Sequence, residues 1–132
     1  MTEQELINRT KQMALKAITM VRLLPKNDEG AVLGKQLLRS ATSVAANYRS
    51  ACKARSHKDF INKLGITEEE ADETQLWLEL IMESNLAKPS QIIDLLQEVT
   101  ELTAIFAASR ITAQRNSGKL SQSDVFDINW HL

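Results

Sequence analysis

The chain has 132 residues, of which 43% are hydrophobic and 25% charged, and its formal net charge at pH 7 is −1. This length suits one domain with a single core, and the lone Cys52 has no partner for an internal disulfide. A dedicated nucleic-acid-binding domain is usually more basic, and no apolar run approaches the roughly 20 residues of a membrane span. We therefore expect a cytoplasmic protein with no secretory signal and no membrane segment.

Four helices are predicted in chain order, because helix-breaking glycine and proline are scarce and good helix formers dominate. Their predicted ranges are 3–24, 28–55, 57–85 and 89–116. Pro25 disfavours continuation of the first helix, and Asp28 and Ser56 are suitable N-caps for the second and third. Gly118 is placed to end the fourth.

Short connections between long helices favour antiparallel neighbours. The predicted fold is therefore all-α, an antiparallel up-down-up-down four-helix bundle over residues 1–118. Residues 119–132 form a predicted C-terminal tail without a helical period. Its apolar side chains suit packing on a neighbour.

The second helix is predicted to be amphipathic, with a basic outer face. Its core stripe comprises Leu33, Leu37, Ala41, Val44, Tyr48 and Ala51. A basic stripe lies within an arc of roughly 80° on the other side and comprises Lys35, Arg39, Arg49 and Lys53. These cations are a solvated helix face, or partners for acidic groups of another helix, or a ridge that contacts nucleic-acid phosphates.

The third helix carries two apolar faces, whereas one stripe is enough for a monomeric bundle. The first stripe comprises Phe60, Leu64, Ala71, Thr74, Leu78 and Ile81. The second face contains Ile66, Leu76, Trp77 and Leu80 among glutamates. It is covered either by the C-terminal tail or by a second subunit. Because tryptophan is enriched at interface cores, we predict an oligomer interface that includes Ile66, Trp77 and Leu80.

Charge is segregated along the chain. Residues 35–63 contain seven basic residues and one acidic residue, whereas residues 68–101 contain ten acidic residues and one basic residue. Such a split serves head-to-tail subunit contacts as well as it serves polyanion binding. The charge segregation is therefore compatible with both subunit contacts and polyanion binding and does not discriminate between them.

No constellation of catalytic or metal-ligating residues is visible in the sequence. One cysteine and two histidines cannot close a zinc site, and no Glu-x-x-His pair suggests a di-metal bundle. Phosphate-binding loops and nucleophile motifs are also missing from the sequence. We expect no enzymatic activity, no metal, no cofactor and no small-molecule substrate.

The segment 37–48, which reads Leu-Leu-Arg-Ser-Ala-Thr-Ser-Val-Ala-Ala-Asn-Tyr, resembles a motif of the 23S rRNA intervening-sequence protein family, also called the S23 ribosomal protein family. Further similarities occur in the same order and spacing at residues 24–25, 49–56, 58–61, 63–66, 70–74 and 77–78. The resemblance implies an antiparallel four-helix bundle that assembles as a ring, typically a homopentamer, without established enzymatic activity. A related branch, the accessory proteins of diversity-generating retroelements, binds reverse transcriptase and nucleic acid through a basic ring surface. Those proteins are markedly more basic than this chain.

Within this motif, Ser43 and its small neighbours allow close approach of another helix. Asn47 is predicted to have a structural role, as an amide that hydrogen-bonds across a helix junction. The leading functional hypothesis is a ring-forming protein that associates with RNA or a nucleoprotein through the basic stripe. The alternative is a purely structural, protein-binding module, and no motif supports a metal-binding or small-molecule-binding bundle.

Overall fold

The computed structural model describes residues 1–117, which contain four α-helices and no strand. The helices are α1 (Glu3–Arg22), α2 (Asp28–Ala51), α3 (His57–Glu83) and α4 (Pro89–Ser117). The predicted all-α fold and the number of helices are confirmed. The predicted tail, 119–132, lies outside the described residues.

Contacts between the helices show that neighbours run antiparallel. The end of α1 lies against the start of α2, where Val21 approaches Gly34. Likewise, the start of α3 meets the end of α4, where the Nε2 atom of His57 lies 2.7 Å from the carbonyl oxygen of Ala113. An ion pair from Arg9 on α1 to Glu98 on α4 closes the bundle at 2.5 Å. The order is therefore up-down-up-down.

The core consists of the stripes that the helical periodicity predicts. Every predicted core residue of α3 is buried, and on α2 only Leu33 is half-buried rather than buried. The rings of Tyr48 and Phe106 pack with their centroids 5.5 Å apart, which joins α2 to α4. Between α2 and α3, the buried hydroxyl of Thr74 lies 2.8 Å from that of Ser40, so this polar pair satisfies itself within the core.

The predicted ends of α1 and α3 are corrected. Helix α1 ends at Arg22 rather than Leu24, because the chain tightens into i→i−3 hydrogen bonds before Pro25. Helix α3 ends at Glu83 rather than Asn85, which adopts a left-handed conformation with φ of 62°. The amide of Leu86 then donates to the carbonyl of Ile81, so Asn85 takes the place of the glycine that usually ends such a helix.

Both ends of α2 also differ from the prediction. The N-cap is Asn27 rather than Asp28, and its side chain accepts a hydrogen bond from the amide of Gly30 at 2.8 Å. The helix ends at Ala51 rather than near Arg55, because the chain must reverse direction before Ser56 caps α3. Lys53 therefore lies in the turn after α2.

Gly30 is required by the close approach of the α1–α2 turn, and its replacement is expected to be costly. A Cβ atom at this position would lie 2.1 Å from the backbone carbonyl oxygen of Pro25. Gly30→Ala should lower the free energy of unfolding, measured by urea denaturation, by about 1–3 kcal/mol. The matched control is Gly65→Ala on α3, where a Cβ atom would meet only the Arg110 side chain at 3.8 Å. This control should raise stability by about 0.5–1 kcal/mol, and equal effects of the two changes would contradict the account.

Candidate functional site

The basic stripe predicted on α2 does not remain one continuous set of available cations. Arg39 contacts α3, where its guanidinium pairs with Glu70 at 3.2 Å and forms a short hydrogen bond with Glu73. These contacts, chiefly the hydrogen bond to Glu73, raise the pKa of Arg39 above its ordinary value. Arg39 thus acts as a partner for acidic groups of another helix.

The other three cations of the stripe are exposed, and within residues 1–117 they form no ion pair. Lys35 lies near the start of α2, and Arg49 lies in its last turn. Lys53 follows in the α2–α3 turn together with a further exposed cation, Arg55, and the exposed Lys58 lies in the first turn of α3. We refer to Lys53, Arg55 and Lys58 as the basic end. The predicted basic stripe did not include Arg55 and Lys58. The sequence does contain a sign of this basic group, because no acidic residue occurs from 30 to 58.

The backbone that carries the basic end is firmly anchored. The Ser56 side chain caps α3 by accepting a hydrogen bond from the amide of Asp59 at 3.0 Å. Next to it, His57 is buried, and its Nε2–H donates to the carbonyl of Ala113 on α4. The carboxylate of Asp59 pairs with Lys63 at 3.3 Å and forms no ion pair with the three cations of the basic end. The cations therefore project from the α2–α3 turn and the first turn of α3, both of which these contacts hold in place.

Cys52, which caps the end of α2, does not have the properties of a nucleophile. It is half-buried, and this burial raises the pKa of its thiol to about 12. Burial likewise raises the pKa of the neighbouring Tyr48 hydroxyl. Because the thiolate is the reactive form, the protonated Cys52 is unreactive at neutral pH.

The apolar side chains on the second face of α3 differ in their exposure to solvent. Ile66, Leu76 and Leu80 are exposed to 45%, 46% and 40%. By contrast, Trp77 is half-buried against the core, and its indole Nε1 is buried without a hydrogen-bond partner in the part of the chain that the structure describes. Ile66 and Leu80 are thus exposed, as the predicted oligomer interface requires, whereas Trp77 packs partly against the core of its own bundle.

A shallow groove of about 410 Å³ lies between α1 and α2. Its lining is mostly small or apolar, with cations at the margins, and consists of Ile7, Thr10, Lys11, Thr42, Ala45, Ala46 and Arg49. The Thr42 hydroxyl already donates to the backbone carbonyl of Leu38 at 2.8 Å. The groove therefore presents little unsatisfied polarity apart from the two cations.

The charge split of the sequence coincides with the two helical hairpins of the fold. Residues 1–56, which include α1 and α2, contain ten basic and four acidic residues, a net charge of +6. Residues 57–117, which include α3 and α4, contain five basic and eleven acidic residues, a net charge of −6. Two sets of ion pairs join the hairpins: those from Arg9 to Glu98 and Glu101, and those from Arg39 to Glu70 and Glu73. In both sets the first hairpin supplies the arginine and the second hairpin supplies the glutamates.

Neither a metal site nor a membrane segment is found among residues 1–117. No three side chains of histidine, cysteine, aspartate or glutamate in this range are grouped so that they could hold a metal ion. None of the four helices has the length and apolar character needed to cross a bilayer.

The family model of the 23S rRNA-intervening sequence protein matches residues 2–108, which are most of the chain. The chain belongs to this family. It is similar to the crystal structure of a protein with unknown function from the S23 ribosomal protein family of Bacteroides thetaiotaomicron VPI-5482. The two chains are 32% identical, and the match has a TM-score of 0.78 and covers 85% of this chain and 100% of the other. Comparison with curated proteins finds no match.

The segment 37–48, which resembles a motif of the 23S rRNA-intervening sequence protein family, lies within α2. Its residues Ser43 and Asn47 are both half-buried. The Nδ2 group of Asn47 donates to the carbonyl and the hydroxyl oxygen of Ser43, each at 2.9 Å. These bonds stay within α2 and do not cross a helix junction as predicted, because Ser43 offers two acceptors one turn away.

Proposed function

We propose that this protein is a non-catalytic, ring-forming bundle that binds structured RNA through its basic end. The observation that carries the proposal is the group of exposed cations Lys53 and Arg55 in the anchored α2–α3 turn and Lys58 in the first turn of α3, with no ion pair to any described residue. Phosphates gain affinity for such a group because binding releases condensed counterions.

The whole chain is slightly acidic, but its charges are separated, so the net charge does not argue against RNA binding at the basic end. A polyanion approaching the α2–α3 turn meets a local excess of cations, while much of the negative charge lies on α3 and α4. Over distances beyond the Debye length of about 8 Å, physiological salt screens that negative charge. Local charge therefore governs binding more than net charge does.

Family membership supports RNA as the ligand class. The description of the family refers to intervening sequences of 23S rRNA, and the similar crystal structure is assigned to a ribosomal protein family. Structured RNA is recognised largely through its shape and backbone, for which fixed cations are suited. The proposed ligand is accordingly the phosphate backbone of a folded RNA.

Assembly into a ring would multiply this weak local site. If the bundle axes lie along the ring axis, every α2–α3 turn comes to the same face, and the basic ends form one continuous surface. Several weak contacts made together raise affinity far above that of a single contact. A ring of five subunits, which the family resemblance implies, would present fifteen such cations.

The proposal narrows the predicted nucleic-acid site. Lys53 remains in it, and Arg49 lies one turn away at its margin. Arg39 is held by Glu70 and Glu73, and Lys35 lies near the opposite end of α2. The proposed site therefore contains Arg55 and Lys58 instead of Arg39 and Lys35.

The test is the affinity for a fluorescently labelled folded RNA, measured by anisotropy across a series of salt concentrations. In the doubly substituted Lys53→Glu, Arg55→Glu protein, the slope of log affinity against log salt should fall by about two, since each lost phosphate contact contributes about one. The matched control, Lys26→Glu with Lys88→Glu, makes a similar charge change in exposed turns at the other end of the bundle and should leave binding close to wild type. Equal losses in both proteins would remove the site assignment, and no binding by the wild-type protein at low salt would refute the proposed function.

The second candidate is a structural, protein-binding module without affinity for nucleic acid. The use of Arg39 in ion pairs within the subunit favours it, because part of the basic stripe already has acidic partners. It predicts normal assembly together with no RNA binding at any salt concentration, so the same titration separates the two functions.

A further inference from the structure

The outer side of α3 carries a regular line of acidic residues with a leucine at its centre. The acidic stripe consists of Glu69, Asp72, Leu76, Glu79 and Glu83, which follow one another at the three- and four-residue spacing of a single helix face. None of its carboxylates pairs with a cation in the described part of the chain. Leu76 is 46% exposed, so the stripe has an apolar centre between charged ends.

The outer side of α2 has the opposite charge and shape. The basic groove consists of the α1–α2 groove, with its small residues Thr42 and Ala46, together with Arg49 at one end and Lys35 two turns beyond Thr42. Lys11 of α1 adds a further cation at the margin. The centre is shallow and largely apolar, and the charged side chains are exposed.

The two surfaces have the same length and the same order of features. Lys35 and Arg49 are fourteen residues apart with Thr42 midway, and Glu69 and Glu83 are fourteen residues apart with Leu76 midway. Each span is about 21 Å along its helix. A projecting leucine between two acids therefore matches a groove of small residues between two bases.

We propose that the acidic stripe of one copy docks in the basic groove of a second copy. In a ring whose bundle axes lie along the ring axis, α3 of the neighbour runs antiparallel to α2. Glu83 then meets Lys35, Glu69 meets Arg49, and Leu76 enters the groove beside Thr42. This inference rests on the ring of the proposed function and names the surfaces that build it.

Charge complementarity identifies a second copy as the occupant. The +6 and −6 hairpins of one chain are matched in sign to those of another chain, and the same polarity already joins the hairpins within a subunit through Arg39. Because the two surfaces are different, the contact is heterologous, and it generates a ring when the rotation closes. Lys53, Arg55 and Lys58 remain outside it and stay available for RNA.

The test is a charge swap followed by light scattering without RNA. Lys35→Glu with Arg49→Glu, and separately Glu69→Lys with Glu83→Lys, should each reduce the assembly to the 14.8 kDa monomer. The four substitutions combined in one chain restore complementarity with reversed polarity and should restore the wild-type mass. Lys16→Glu with Arg22→Glu, on the exposed side of α1, is the matched control and should assemble normally.

Circular dichroism confirms that each variant is folded before its mass is interpreted. An assembled wild-type protein whose mass is unchanged by either pair, or a folded quadruple variant that stays monomeric, would overturn the docking surfaces. A wild-type monomer would overturn the docking and the ring together. RNA binding is measured separately on the wild-type and the Lys53→Glu, Arg55→Glu proteins. With intact assembly, a wild-type protein that does not bind RNA at low salt, or a double variant that binds it like wild type, contradicts only the proposed function.

Discussion

Phe106→Ala is expected to destabilise the bundle by about 3–5 kcal/mol, the usual cost of removing a fully buried aromatic side chain. Phe106 is completely buried and packs against the ring of Tyr48, so the substitution leaves a cavity between α2 and α4. A domain of this size is typically stable by only 5–15 kcal/mol, and the loss is a large part of that. Urea denaturation monitored by circular dichroism measures it as a lower midpoint with an unchanged slope.

The control for this change is Ile111→Ala on the same helix. Ile111 is 47% exposed, so its truncation should alter stability by no more than about 0.5 kcal/mol. Comparable losses from the two substitutions would show that Phe106 is not at the centre of the core.

Leu76→Ala is expected to have the largest effect of any single apolar truncation on assembly. It removes the side chain that fills the basic groove in the proposed docking, while the isolated subunit keeps its stability because Leu76 is already 46% exposed. Each interface should lose about 1–2 kcal/mol, since burial of a leucine side chain contributes about 1.5–3 kcal/mol in full. This loss recurs at every interface of a ring, so the protein concentration at half-assembly should rise at least tenfold.

Ile111→Ala again provides the control, because Ile111 is equally exposed and lies outside the acidic stripe. Dilution series followed by light scattering compare the two proteins with wild type. The docking surfaces are wrong if Leu76→Ala leaves the concentration at half-assembly unchanged, or if Ile111→Ala raises it as much.

Helical periodicity predicted the four helices and nearly all of the core. It could not locate the end of α2, because no glycine or proline lies between Arg49 and Ser56 to mark the turn. The chain stops its helix there so that Ser56 can begin the next one. Helical periodicity therefore predicts that Lys53 belongs to α2, whereas Lys53 lies in the turn that follows.

The pairing state of each charge depends on which helices are neighbours, and a single helical wheel does not contain that information. Arg39 and Lys35 are similar in sequence context, but only Arg39 faces Glu70 and Glu73 across the α2–α3 contact. Trp77 shows the same limit for apolar residues, since its large side chain reaches back to the core from an intermediate angle. Leu76, one residue earlier, does not reach the core and is exposed.

The most direct test of a ring that gathers basic ends on one face is the molar mass of the wild-type protein by light scattering, alone and with a folded RNA. The account predicts a particle of several 14.8 kDa subunits at micromolar concentration, about 74 kDa for five, which gains the mass of the RNA without losing subunits. A protein of 14.8 kDa that stays monomeric at 100 μM, roughly a hundredfold above the micromolar range of a modest interface, would contradict it.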